Sequence, residues 1–101
     1  MAISTTWESE NNSLTIQMDD KFDYSKVQEF RQAYVETPAQ PEEILIDLTA
    51  TQYMDSSALG MLLNMQKYFS DKGVNYKIVN SRPQVARILK ISRFDKKFDI
   101  S

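Results

Sequence analysis

Apolar and polar residues alternate singly at the start of the chain, then change to helical spacing from Ser25. "ISTTWE" (3–8) and "SLTIQM" (13–18) read as strands, the second with Leu14, Ile16 and Met18 on one face. The "NN" at 11 and 12 between them is a turn signal, which predicts an antiparallel hairpin. "DDKFD" then breaks the alternation, and Val27, Phe30, Ala33 and Tyr34 recur at intervals of three and four. That spacing predicts a helix, and Pro38 ends it, because proline lacks an N–H and disfavours helix in the residue before it. "EILIDL" (43–48) is a short apolar run suited to a strand covered on both faces. A helix over about 57–71 follows, with Gly73 as a C′ residue. "VNYKIV" (74–79) is a strand, and Pro83 opens a helix over "PQVARILKI", where its missing N–H costs nothing. Val85, Ile88, Leu89 and Ile91 are expected to face inward. "KKFDIS" (96–101) either adds a last short strand or ends the chain.

The order ββαβαβα, with a possible final β, contains two βαβ units and implies an α/β fold with a mostly parallel sheet. The N-terminal hairpin supplies an antiparallel edge, and the helices pack against the sheet. No linker, repeat or low-complexity tract divides the chain, so residues 1–101 are expected to form a single domain.

Composition narrows the chemistry. The chain has no His, no Cys and two Gly, with a net charge of −2. A Ser-His-Asp triad, a Cys nucleophile and a thiolate or imidazole metal site cannot be built, nor can a GxGxxG or P-loop motif. Asp19, Asp20, Asp23, Asp47 and Asp55 remain, but paired-carboxylate hydrolysis usually needs a larger substrate cleft. We therefore expect no enzyme activity, no catalytic residue, no metal and no cofactor. The net charge creates no global field favouring nucleic acid or an anionic membrane. No apolar stretch approaches the ~20 residues that span a bilayer, and the N-terminus lacks the basic start and apolar centre of a signal peptide. A cytoplasmic location is expected.

The segment "YMDSSALGML" (53–62) carries the most specific pattern. Asp55, Ser56 and Ser57 are each able to begin a helix, and Ser, Asp and Asn are common N-caps. On a wheel at about 100° per residue, Ala58, Leu62, Met65 and Phe69 form the core stripe, with Lys67 and Asp71 opposite. Ser56, Gly60 and Leu63, spaced i, i+4 and i+7, share a side away from that stripe. A glycine inside a helix costs about 1 kcal/mol relative to alanine. Either a neighbouring strand approaches closely at Gly60, or the small residue belongs to a docking surface.

The stretch "LIDLTATQYMDSSALGML" resembles the signature of STAS domains, in particular the bacterial anti-sigma-factor antagonists, where D-S-[ST]-G-L-G opens a helix after a buried strand. The likeness runs over essentially the whole chain, and "KFDYSKVQEF" resembles the family's acidic turn at the end of strand two, which maps to Asp23. Ala58 departs from the pattern's Gly, and Asp20 stands where strand two often has Gly. The resemblance implies partner switching in signal transduction and transcription regulation. The unphosphorylated antagonist binds an anti-sigma factor that is also a serine kinase, and phosphorylation of the serine after the signature Asp, here Ser56, releases it. A metal-dependent serine phosphatase restores the free hydroxyl. Asp55 and Asp23 would hold the local geometry and charge, and Ser57, Gly60, Met61 and Leu63 would belong to the partner-binding face. Binding of nucleic acid and direct membrane insertion are not expected, and the free protein would be a monomer. The family also includes non-phosphorylated structural modules of anion and lipid transport complexes, which is the alternative reading.

Overall fold

A computed structural model describes residues 3–70 and 72–100. The strands are β1 (Ser4–Glu8), β2 (Ser13–Gln17), β3 (Lys21–Phe22), β4 (Glu43–Asp47), β5 (Tyr53–Met54), β6 (Asn75–Val79) and β7 (Asp99–Ile100). The helices are α1 (Val27–Val35), α2 (Ser56–Tyr68) and α3 (Pro83–Ile91), with 3₁₀ turns at Tyr24–Lys26 and Phe94–Lys96. Five strands form one sheet in the order β1-β2-β4-β6-β7, antiparallel between β1 and β2 and parallel thereafter. The hairpin reverses through Asn12, whose φ of 52° lies in the left-handed region that Asn tolerates.

Register explains where the core sits. Leu14, Ile44 and Tyr76 lie side by side across the sheet, as do Ile16, Ile46 and Ile78. Side chains alternate between faces along a strand, so these rows share one face. They pack with Phe30, Tyr34, Leu62, Met65, Val85, Leu89, Phe94 and Phe98 in a single core. The opposite face, with Thr15, Leu45 and Lys77 in one row, is only half-buried. The expectation that β4 would be covered on both faces is therefore corrected. Leu45 made the run look continuous, but Glu43, Leu45 and Asp47 line an uncovered face.

Four other expectations change. α2 ends at Tyr68, where Ser70 N–H donates to the Lys67 carbonyl at 3.2 Å and tightens the last turn. Gly73, expected as the C′ residue, instead serves the following turn with φ 72°. Asp71, expected on the solvated side of α2, lies outside the described residues. Ile91, expected to face inward, is 75% exposed. It sits two residues after the core residue Leu89, about 200° round the helix. β3 and β5 were absent from the sequence reading. They form a separate two-stranded parallel sheet, so Asp23 follows β3 rather than β2.

The chain around β3 is anchored by a buried ion pair. Lys26 Nζ lies 2.5 Å from Asp19 Oδ2, with side-chain exposures of 13% and 1%. The Asp19 hydrogen bond raises the Lys26 ammonium above its ordinary range, against the opposing effect of burial. Removing one member of a buried pair strands the other charge and typically costs about 3–5 kcal/mol. Lys26→Met should lose stability of that order in urea unfolding. Lys77→Met, which breaks the more exposed pair with Glu43, should lose less than about 1 kcal/mol.

Candidate functional site

Two short strands deliver two helix starts to one place. The Asp20 carbonyl accepts from the N–H groups of Gln52 and Tyr53, and Thr51 Oγ1 donates to the Asp19 carbonyl at 2.8 Å. These bonds bring β3 and β5 into parallel register, with Lys21 beside Tyr53 and Phe22 beside Met54. The next residue on each side is an aspartate, Asp23 and Asp55, and each caps the helical segment that follows.

The two starts repeat one local design. Asp55 Oδ1 accepts from the backbone N–H of Ser57 at 3.0 Å and of Ala58 at 3.3 Å, and from the Ser57 hydroxyl. Asp23 Oδ1 accepts from the N–H and the hydroxyl of Ser25. In both, the first and third residues of a D-x-S triplet close on each other and the middle residue projects outward. That middle residue is Tyr24 in one and Ser56 in the other, and both are exposed. Asp47 and Thr49 make the same pair of bonds, to which Asn80 Nδ2 adds a third at 3.2 Å, but there the middle residue, Leu48, is buried in the core.

The cap separates the two serines chemically. Ser57 is half-buried and its hydroxyl is committed to Asp55. Ser56 is exposed, and its hydroxyl makes no hydrogen bond among the described residues. Asp55 Oδ1 is occupied by three donors, and among the described residues no carboxylate accepts a hydrogen bond from the Ser56 hydroxyl. The geometry suits a hydroxyl that receives a group from outside. Among the described residues no three His, Cys, Asp or Glu side chains gather to hold a metal ion. No helix among them is long and apolar enough to cross a membrane.

Beyond Ser56 the outward side of α2 presents Gly60 and Leu63, both exposed. A Cβ built on Gly60 meets nothing within 4 Å, so close strand approach does not explain this glycine. Met61, expected on the docking face, is buried at 6% exposure. Its position, one residue before Leu62 and four before Met65, turns it toward the core. It reaches the surface only in the floor of a groove of about 270 Å³ between α1 and α2, lined also by Val27, Arg31, Asn64, Lys67 and Tyr68. Val27 and Tyr68 are exposed apolar side chains along this groove, Leu63 is exposed elsewhere on α2, and Tyr24 and Tyr53 are exposed at the twin turns.

Residues 5–101 match the STAS domain family model. The chain belongs to the STAS domain family. It is 38% identical, over the full length of both, to a STAS-domain containing protein of Pseudomonas aeruginosa. It is also 38% identical over 53 residues to an anti-sigma F factor antagonist of Paenibacillus polymyxa, covering 52% of this chain and 45% of that one. An anti-sigma-factor antagonist (STAS) domain protein from Planctomyces limnophilus superposes with a TM-score of 0.80 at 22% identity, covering 100% of this chain and 90% of that one. A sulfate transporter family protein from Wolinella succinogenes gives 0.75 at 9% identity, covering 85% and 70%. At these identities the two structures establish the shared STAS fold.

Two measurements check the site. Leu63→Ala should cost less than about 1 kcal/mol in urea unfolding, against about 2–5 kcal/mol for the buried Leu62→Ala. Gly60→Ala should stabilise the protein by about 0.5–1 kcal/mol, because the added methyl meets open space.

Acid unfolding gives a further check. The Ser25 hydroxyl and amide hold the Asp23 carboxyl below its ordinary value, with Lys26 and Lys21 assisting and desolvation opposing. At Asp47 desolvation raises the value, but bonds from Thr49, Asn80 and Gln17 prevail and lower it. Depressed carboxyls contribute stability that is full above their unfolded pKa of about 3.9 and is lost as pH falls through the folded value. Asp47→Asn should flatten the fall in melting temperature below about pH 4 and leave its slope near neutral pH unchanged.

Proposed function

We propose that this STAS protein is a regulator of the anti-sigma-factor antagonist type, working by partner switching in the cytoplasm. In its unmodified form it binds a serine kinase that is also the anti-sigma factor. The kinase transfers the γ-phosphoryl group of ATP to Ser56 Oγ, ADP leaves with the bridging oxygen, the hydroxyl proton passes to solvent, and the complex separates. A serine phosphatase hydrolyses the phosphate and restores the binding form. The observation that carries this reading is the division of labour at the start of α2, where Asp55 ties down the Ser57 hydroxyl and leaves Ser56 exposed and unengaged. Ser57, Gly60 and Leu63 supply the docking side, with Met61 beneath it in the groove.

The energetics favour a change in binding over a change in fold. A phosphate brings about −1.5 to −2 charges. The helix dipole favours a negative group at this end by about 0.3–1 kcal/mol. The Ser57 and Ala58 amides already serve Asp55, and Asp55 and Asp23 repel the new charge, so the terms offset. A partner packed over Ser56 has no such compensation. It would have to desolvate a near-dianion without a matched cation, at a cost of several kcal/mol.

The fold is shared with a sulfate transporter family protein, which supports a second reading as a non-phosphorylated structural subunit of a membrane transport complex. Phosphate on Ser56 separates the two. Incubation with the cognate kinase and ATP should place phosphate on Ser56 and not on Ser57, read by peptide mapping. Phosphorylation should weaken kinase binding about a hundredfold, which is about 2.8 kcal/mol, and shift the melting temperature by only a few degrees. Ser56→Ala should bind constitutively. Phosphate confined to Ser57, or undiminished binding after modification of Ser56, would sink the proposal.

A further inference from the structure

The C-terminal part of the chain carries a charge distribution that neither the STAS fold nor the Ser56 site uses. Residues 82–97 hold six Lys and Arg against a single acid, in a chain whose net charge is −2. Arg82, Arg87, Lys90, Arg93, Lys96 and Lys97 are all exposed. Among the described residues, ion pairs join Lys26 to Asp19 and Lys77 to Glu43, and neither involves these six.

Local folding rules do not account for them. Lys90 lies in the last turn of α3, where a cation complements the helix dipole. Arg82 is the N-cap of the same helix and makes no capping bond, at an end where the dipole disfavours positive charge. Arg87 is in the helix interior. Arg93 terminates the helix with φ 62°, a left-handed position where glycine is the low-strain choice.

The same ridge carries Ile91, 75% exposed. On the helical wheel Arg87, Lys90 and Ile91 share the side opposite Val85 and Leu89, which are buried. The aromatic side chains of this region, Phe94 and Phe98, are buried in the core, so no ring is offered for stacking on nucleic acid bases. Arg87 and Lys90 flank an open depression lined also by Pro83 and Asp95, and a cationic surface with a protruding aliphatic residue is the pattern of one that rests on lipid headgroups and inserts one side chain shallowly.

We propose that the α3 ridge, with the turn that follows it, is a docking surface for an anionic lipid bilayer. The net charge does not forbid this. Lys90, Arg93, Lys96 and Lys97 lie toward the C-terminal end of α3. Asp47 is hydrogen-bonded to Asn80 at the other end, about 14 Å away by the length of a nine-residue helix. That exceeds the screening length of about 8 Å at physiological salt, and the acids nearer by, Asp95 beside Arg87 and Lys90 and Asp99 just beyond, leave the six cations in excess, so the ridge meets a membrane as a cationic surface. The proposal is independent of the Ser56 reading.

Co-sedimentation of the full chain with vesicles tests it. Binding is expected to vesicles of about 30 mol% phosphatidylglycerol in phosphatidylcholine at about 0.1 M salt, to be absent with phosphatidylcholine alone, and to be released at about 0.5 M salt. Arg87→Glu/Lys90→Glu should weaken it at least about tenfold. Ile91→Asp should weaken it too, while all variants keep the wild-type circular dichroism spectrum. Lys21→Glu/Lys72→Glu makes the same change in net charge away from the ridge, Lys21 on β3 and Lys72 beside the end of α1, and should leave binding within about twofold. Equal loss in the two double variants, no preference for the anionic vesicles, or tighter binding to single-stranded DNA or polyglutamate than to the vesicles would overturn the proposal.

Discussion

The site depends on a ladder of two residues per strand. β3 and β5 are too short to be stable alone, and they pair because the loops before them are stitched together through the carbonyls of Asp19 and Asp20. Phe22 and Met54, adjacent in that register, are both buried in the main core. Their burial holds the ladder in place, and the ladder sets Asp23 beside Asp55. Neither capping turn by itself would bring the two carboxylates and the exposed middle residues, Tyr24 and Ser56, to one end of the molecule.

From this constraint follows the asymmetry between adjacent serines. An aspartate N-cap draws in the donors two and three residues onward, and the third residue of the triplet adds its hydroxyl. The middle residue is left out of the bonding, and at the two helix starts it projects, whereas Leu48 between Asp47 and Thr49 is buried. Exposure of Ser56 is thus a by-product of efficient capping, and helix formation does not require a hydroxyl there. Gly60 has the same character. It weakens the helix, nothing among the described residues comes within 4 Å of a Cβ placed there, and it lies one turn beyond Ser56. Ser56, Gly60 and Leu63, exposed on one side of a well-capped helix, are the residues on which the proposed partner surface rests.

Much of the architecture was legible in the sequence because the signals were local. The hairpin turn at Asn12, Pro83 at the first turn of α3 and the core stripe of α2 stand where spacing and turn chemistry put them. The errors share a cause. Leu45 and Ile91 are apolar residues in strongly apolar company, and sequence cannot tell a covered face from an open one when both carry aliphatic side chains. Met61, which the family resemblance places on the partner-binding face with Gly60 and Leu63, is turned inward by the 100° step of the helix. β3 and β5 were missed because two-residue strands have no periodicity to detect. A signal for them did exist. The D-x-[ST] triplet occurs at 23–25, 47–49, 55–57 and 99–101, and the first and third of these sit directly after the short strands.

The central claim is that charge added at Ser56 acts at the surface of the twin turns and leaves the sheet and core unchanged. Backbone amide chemical shifts of the unmodified and Ser56-phosphorylated protein test this most directly. The account predicts changes confined to residues 21–25 and 53–60, with the amides of Ile16, Ile46 and Ile78 in the central strands unmoved. Changes that spread through those strands, or loss of the dispersed spectrum, would contradict it.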